Sequence, residues 1–314
     1  MKTVILTGET VKKQILSDIT DEISGLQNKY HKLPGIAFIG FPDVPLGKYN
    51  IPFHVQLAKN LGFNVLNEIQ PGNITEDDLF KVVDRLNKNK KVDAIVLLQP
   101  LPKHLNPLRI INRIDPNKEV EGFHPTNMMG TLFPDISDNK YSMCLPTALS
   151  QLFSNNKIAV ENGKEWVLLL DDEFYTNPLV NMVARTAFIK AVPKECSLTT
   201  VNSDDKHLVS HCKRADFLVV VTKKPESINP EWLKPGVVII DIYSNLIKEI
   251  PGKKDPNRLI PIIRGGVNVE SVNGIASFIL PIPGGLMGVV LANLLFNTLM
   301  AFKYRMKNTY GVLH

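Results

Sequence analysis

Side chains able to do chemistry crowd into residues 97 to 127. The apolar run Val92 to Leu98 stops at Gln99-Pro100-Leu101-Pro102, and Lys103 and His104 follow. Further on comes Lys118-Glu119-Val120-Glu121-Gly122-Phe123-His124-Pro125-Thr126-Asn127. An apolar run that ends abruptly at proline reads as a strand covered on both faces. Its carboxyl end should open into a crevice, where an open α/β sheet places a ligand. The three cysteines, Cys144, Cys196 and Cys212, lack metal-ligand spacing and read as reduced thiols, so no metal is expected.

The elements that must position these groups alternate. Val11, Ile15, Ile19, Ile23 and Leu26 repeat at helical spacing, Gly35 to Gly40 reads as a short buried strand, and Tyr49 to Leu61 resumes helical spacing until Gly62. Phe63 to Val65 reads as a strand, Glu76 to Asn87 as a helix with acidic residues in its first turn, and Val92 to Leu98 as a third strand. Such alternation predicts right-handed crossovers and a largely parallel sheet.

A helix is predicted over Ala148 to Phe153. Past Gly163 a second alternation begins: strands at Trp166 to Leu170, Ser197 to Val201, Phe217 to Thr222 and Val237 to Ile242, with a helix at Pro178 to Ile189. Pro281-Ile282-Pro283-Gly284-Gly285 then introduces an apolar helix, Val289 to Phe302, which could return to the first domain. The expected architecture is α/β in two domains: an N-terminal domain from residues 1–150 plus 280–314, and a Rossmann-like, doubly wound domain from 151–279, with a cleft between.

Composition limits the function classes. A chain of 314 residues that is 44% hydrophobic can bury a sizeable core. The net charge of +5 arises partly from Lys-rich patches without aromatic interleaving, which read as solvated surface. A nucleic-acid-binding reading rests on that basicity alone, and no nucleic-acid partner is expected. Neither a membrane span nor a targeting segment is expected, and the compartment stays open between cytoplasm and organelle matrix.

Together and in order, residues 118–127, the Gln-Pro-Leu-Pro-Lys-His turn, the Cys144-Leu-Pro block, Pro281-Ile-Pro-Gly-Gly and Asn297-Thr298-Leu299 resemble the bifunctional methylenetetrahydrofolate dehydrogenase/cyclohydrolase family of one-carbon metabolism. The resemblance implies tetrahydrofolate in a cleft beside a Rossmann domain that holds NADP, and dimerisation through that domain. It implies folate-cleft roles for Tyr49, Gln99, Glu121, Pro283, Gly284 and Gly285, and leaves Lys103 and His104 as solvent-exposed loop residues.

Several positions depart from the family pattern. The family's catalytic lysine falls on Phe53 when counted forward from Tyr49 and on His54 when counted back from Gly62. His54 is either a substitute base or a surface or packed helix residue. Leu98 holds the family's Gln position, with Gln99 displaced by one, which in a strand reverses the facing. Gln99 either reaches the cleft or is a plain turn residue. Glu121 stands for a folate-gripping Asp, a carboxylate able to accept two adjacent N–H donors, or else is a solvent-facing acid.

The Gly-rich phosphate loop is replaced by Leu170-Asp171-Asp172-Glu173-Phe174-Tyr175-Thr176-Asn177-Pro178, where Pro178 and later Ser203 are remnants. Asn202, Lys223, Tyr243 and Val290 replace further cofactor-side residues. Three acids there should repel a phosphate. The expectation is therefore a family protein with impaired or absent catalysis and no cofactor, acting as a binding or scaffold protein, as a homodimer or complex subunit. The alternative is an active, divergent enzyme using NADP or NAD, for which Tyr49, His54, Gln99 and Glu121 would be the catalytic residues and would have to converge on one cleft.

Overall fold

The computed structural model describes residues 2–132, 141, 143–161, 163–171 and 196–310. The expected helix at Pro178 to Ile189 lies outside them. The chain forms two compact units, one of Lys13–Cys144 with Leu291–His314, the other of Met1–Lys12 with Leu145–Val290.

In the first unit, β2 (Gly35–Gly40) lies between β3 (Asn64–Ile69) and β4 (Ala94–Leu97), all parallel. Every residue of β2 and β4 is buried, whereas β3, at the edge, alternates between exposed and half-buried. The apolar run that made β4 readable thus reflects cover on both faces. Beyond β4 the sheet continues through one parallel bridge, Ile95 to Glu119.

The helices of this unit carry recognisable ends. α1 (Glu9–Tyr30) crosses from one unit to the other after Lys12. α2 (Gly47–Asn60) is one unbroken helix despite Pro52. Thr75 Oγ1 accepts the Asp78 amide at 3.1 Å to start α3 (Glu76–Lys88), whose first turn holds three acids that suit its positive end. Lys118 Nζ donates to the Leu86, Asn87 and Asn89 carbonyls at 2.7–3.0 Å and closes the other end of α3. Asn106 caps α4 (Pro107–Arg113), and α5 (Pro125–Leu132) follows. Asp93, buried below β4, accepts the Gly35 amide at 2.7 Å and both the Nε and an Nη of Arg305.

The second unit is built on six parallel strands in the order β1-β11-β8-β7-β5-β6. These are β1 (Val4–Ile5), β5 (Glu165–Leu170), β6 (Ser197–Val201), β7 (Phe217–Val221), β8 (Val238–Asp241) and β11 (Phe278–Leu280). β1, grouped by sequence with the first domain, instead pairs Val4 and Ile5 with Phe278 and Ile279 of β11. α6 (Cys144–Asn155) leads into the sheet and α7 (Leu208–Arg214) follows β6. The antiparallel ribbon of β9 (Asn245–Pro251) and β10 (Leu259–Arg264) stands apart as its own two-stranded sheet, beyond the strands that the apolar runs predict.

α8 (Met287–Tyr310) begins in the second unit and runs on in the first from Leu291. It is long and apolar enough to cross a membrane, yet most of it is buried inside the protein, as in a core helix. Phe302 and Leu299 on it are fully buried. Each such side chain contributes ~1.5–3 kcal/mol by leaving water.

Candidate active site

In the first unit, parallel topology collects the sequence candidates at one edge. β2 and β4 end there, the segment after Glu119 runs beside β4, and α2 starts from the same edge after β2. Tyr49, Gln99 and Glu121 all follow from these ends. Pro283, Gly284 and Gly285 belong to the second unit. There Gly284 takes a φ of +102°, open to glycine, and its carbonyl accepts the Gly8 amide at 3.1 Å.

α2 carries both positions counted for the family's lysine, Phe53 and His54. Because the helix is continuous, residue 53 lies one turn beyond Tyr49 on the same face. Phe53, on the Tyr49 face, has 60% of its surface exposed. His54 is rotated away, half-buried, with its ring 5.9 Å from that of Phe38 on β2 and 5.8 Å from that of Phe53. His54 Nδ1 lies 2.7 Å from the Asn50 carbonyl oxygen. A carbonyl only accepts, so Nδ1 carries the proton and Nε2 keeps a lone pair. Burial holds the imidazole below its usual pKa, hence neutral at pH 7.

Leu98 is buried, and its amide donates to the Ile39 carbonyl at 2.9 Å. Gln99, next along and half-buried, precedes a cis bond to Pro100. Lys103 and His104 are exposed, and His104 Nε2 bonds the Ile74 carbonyl at 2.8 Å.

The turn that carries Glu121 is organised by Glu119, which the sequence reading passed over as a site residue. The Glu119 carboxylate is buried and accepts the amides of Glu121 (3.0 Å), Gly122 (3.1 Å) and His124 (2.9 Å), and Asn127 Nδ2 at 3.2 Å. Gly122 has φ +92°, and a Cβ on it would meet Met143 Cγ at 2.8 Å. Asn297 on α8 donates to the Val120 carbonyl at 2.9 Å, tying α8 to the same turn. The sequence signal was available: two glutamates two residues apart before a glycine.

Glu121 itself is half-buried rather than solvent-facing. Burial, and then the charge of Glu119, push its carboxyl up to about 8. Near neutral pH it is a protonated acid, with one donor and one acceptor, where the sequence reading took an ionised acceptor.

In the second unit the candidate remnant Ser203 lies just beyond β6, where Asp171 engages its amide. Asp171 Oδ1 accepts the Ser203 amide at 2.7 Å, and Oδ2 accepts the Thr222 hydroxyl at 2.5 Å. Pro178, with Asp172, Glu173 and Thr176, lies outside the described residues. At the end of β8, Asp241 accepts the Gly266 and Val267 amides and is pushed up to about 7 by burial. Among the described residues no cluster of His, Cys, Asp or Glu could hold a metal ion.

Comparison with known proteins fits both units. The family profile described as tetrahydrofolate dehydrogenase/cyclohydrolase, catalytic domain, matches residues 6–121, and its NAD(P)-binding domain counterpart matches residues 143–306. The bifunctional protein FolD of Desulfosudis oleivorans is 32% identical over 306 residues, covering 98% of this chain and 99% of its own. That of Desulfotalea psychrophila is 31% identical, covering 95% and 97%. Among solved structures, the Trypanosoma brucei methylenetetrahydrofolate dehydrogenase-cyclohydrolase complexed with NADP and inhibitor superposes with a TM-score of 0.80 at 23% identity, covering 98% and 99%. The Campylobacter jejuni enzyme gives 0.76 at 23%, covering 96% and 99%. The chain belongs to the tetrahydrofolate dehydrogenase/cyclohydrolase family.

Proposed function

We propose that this chain binds a reduced folate at the carboxyl edge of the three-stranded unit and acts on its one-carbon bridge, as a 5,10-methylenetetrahydrofolate dehydrogenase with a slower 5,10-methenyltetrahydrofolate cyclohydrolase activity. The carrying observation is Glu121, presented by a turn that the buried Glu119 carboxylate holds in place, with its carboxyl raised to about 8. A pterin ring offers two adjacent N–H donors. Ionised Glu121 accepts both, so folate binding expels the proton that the free protein keeps there.

The two reactions ask different things of the protein. In the oxidation, the bridge C–H bond breaks with its electron pair, and no proton moves. The loss of lysine to Phe53 leaves that step intact. A bound oxidised nicotinamide supplies the hydride acceptor. Asp171 at the end of the six-stranded sheet, fixed by the Ser203 amide and the Thr222 hydroxyl, would be the residue to receive such a cofactor's hydroxyls. Hydrolysis needs a base, and Phe53 supplies none; in this proposal His54, whose ring packs 5.8 Å from that of Phe53, would take a water proton on Nε2 as the O–C bond forms and return it to the folate nitrogen as the C–N bond breaks. A neutral imidazole with a free Nε2 is suited to that exchange.

A second reading, a family scaffold that binds without turnover, is favoured by one observation: α2 has no lysine from Tyr49 to Ala58. An assay with 5,10-methylenetetrahydrofolate and NAD or NADP, following reduced nicotinamide and methenyl product together, separates the two. No turnover from folded protein refutes the enzyme reading. A homodimer through the second unit is part of the proposal. It is supported by exposed Ile247, Ile250, Leu259 and Ile260 on the β9–β10 ribbon, and a monomer in sedimentation would refute it.

A further inference from the structure

We propose that the second unit selects a dinucleotide with a free ribose 2′-hydroxyl and rejects its 2′-phosphorylated form, with Asp171 as the selecting residue. This rests on the reading that the unit takes a nicotinamide dinucleotide. The sheet order places β5 between β6 and β7, and the chain leaves β5 for β6 before crossing back to β7. This is the topological switch point, beyond whose carboxyl ends doubly wound sheets bind their ligands.

Three residues meet there, one from each strand end. Asp171 follows β5, Ser203 lies just beyond β6, and Thr222 follows β7. The Asp171 amide donates to the Val221 carbonyl at 2.8 Å, which fixes the residue, while its carboxylate takes the Ser203 amide and the Thr222 hydroxyl. Thr222 is fully buried and is held by two further bonds: its Oγ1 accepts the Lys224 amide at 3.1 Å, and its carbonyl accepts Asn245 Nδ2 at 3.0 Å. The carboxylate is thus built into the fold.

In sheets of this kind the adenosine ribose is read at the end of the second strand, by an acidic acceptor when the 2′-position is a hydroxyl and by cations when it is a phosphate. Here the amide ending that strand already donates to a carboxylate. Lys224 Nζ, a cation in contact with the network, donates to Ser203 Oγ at 2.7 Å and to Asp204 Oδ1 at 3.3 Å. A 2′-phosphate would meet the Asp171 carboxylate, to which the Ser203 amide and the Thr222 hydroxyl already donate. A hydroxyl would meet an acceptor with lone pairs to spare.

The test is isothermal titration of the full chain, without folate, with NAD+, NADP+, ADP-ribose and 2′-phospho-ADP-ribose. The expected result is that each 2′-hydroxyl ligand binds about tenfold or more tightly than its phosphorylated counterpart, and that Asp171→Asn narrows the ratio to about threefold or less. NADP+ binding as tightly as NAD+, a ratio unchanged in Asp171→Asn, or no binding of any of these by folded protein would each overturn it. If the variant fails to fold, the wild-type ratio still decides. Hydrolysis of 5,10-methenyltetrahydrofolate needs no dinucleotide, so the folate reading stands or falls by a separate signal.

Discussion

Replacing Glu121 by Gln should remove a pH dependence of stability that the wild-type chain carries. In the folded protein the carboxyl titrates at about 8, against 4.5 for the unperturbed group. Between those values the native state holds a proton that the unfolded chain has released. The sign follows: the contribution is fully present below about pH 4.5 and is lost as pH rises through about 8. At about 1.4 kcal/mol per unit the ceiling is ~5 kcal/mol, and the partial exposure of Glu121 reduces this to ~1–3 kcal/mol. Gln keeps the shape of the protonated acid and cannot ionise. The variant should therefore match wild type at about pH 5 and exceed it by ~1–3 kcal/mol at about pH 8.5. Urea unfolding followed by far-UV circular dichroism measures this. Asp241, raised to about 7 in the other unit, gives a slope of the same sign in both proteins and cancels in the difference. Equal pH slopes in wild type and variant would show that Glu121 does not hold the proton.

Three further outcomes are expected. Binding of 5-formyltetrahydrofolate should strengthen with pH by about tenfold per unit between about pH 6 and 8, and Glu121→Gln should flatten the dependence; a flat wild-type profile by calorimetry would exclude the ionised grip. His54→Ala should cut methenyl hydrolysis by about 10²-fold or more while methylene oxidation changes by about threefold or less, and equal losses would remove His54 as the base. Because its pKa is lowered, wild-type hydrolysis should fall off on the acid side only below the usual histidine midpoint of 6.5, read from the pH–rate profile. Arg305→Leu would leave the buried Asp93 carboxylate without its guanidinium and cost ~3–5 kcal/mol in urea unfolding, whereas a loss under about 1 kcal/mol would mean that the Gly35 amide suffices.

The sequence alone determined what depends on local pattern. β2, β4, β5, β7 and β8 were readable because strands covered on both faces are unbroken apolar runs. The α2 and α3 patterns, and the ordered motifs that carry the family, are likewise properties of neighbouring residues. The β9–β10 ribbon was not readable in this way, since its exposed Ile and Leu residues follow no buried pattern.

Tertiary structure decided whatever depends on a distant partner. β1 is two residues long, and only Phe278 and Ile279, more than 270 positions away, make it a strand. Phe53 shares the Tyr49 face, and His54 packs against Phe38 of β2, because α2 runs unbroken through Pro52 beside that strand. Glu121 reads from the sequence as either an ionised folate grip or a solvent-facing acid, and only burial beside Glu119 raises its pKa. Asp171 reads as a charge set against phosphate, but its partners, Ser203 and Thr222, stand 32 and 51 residues away and make it a fixed acceptor. A carboxylate's chemistry is set by what surrounds it, and in this chain those surroundings are assembled by the sheet.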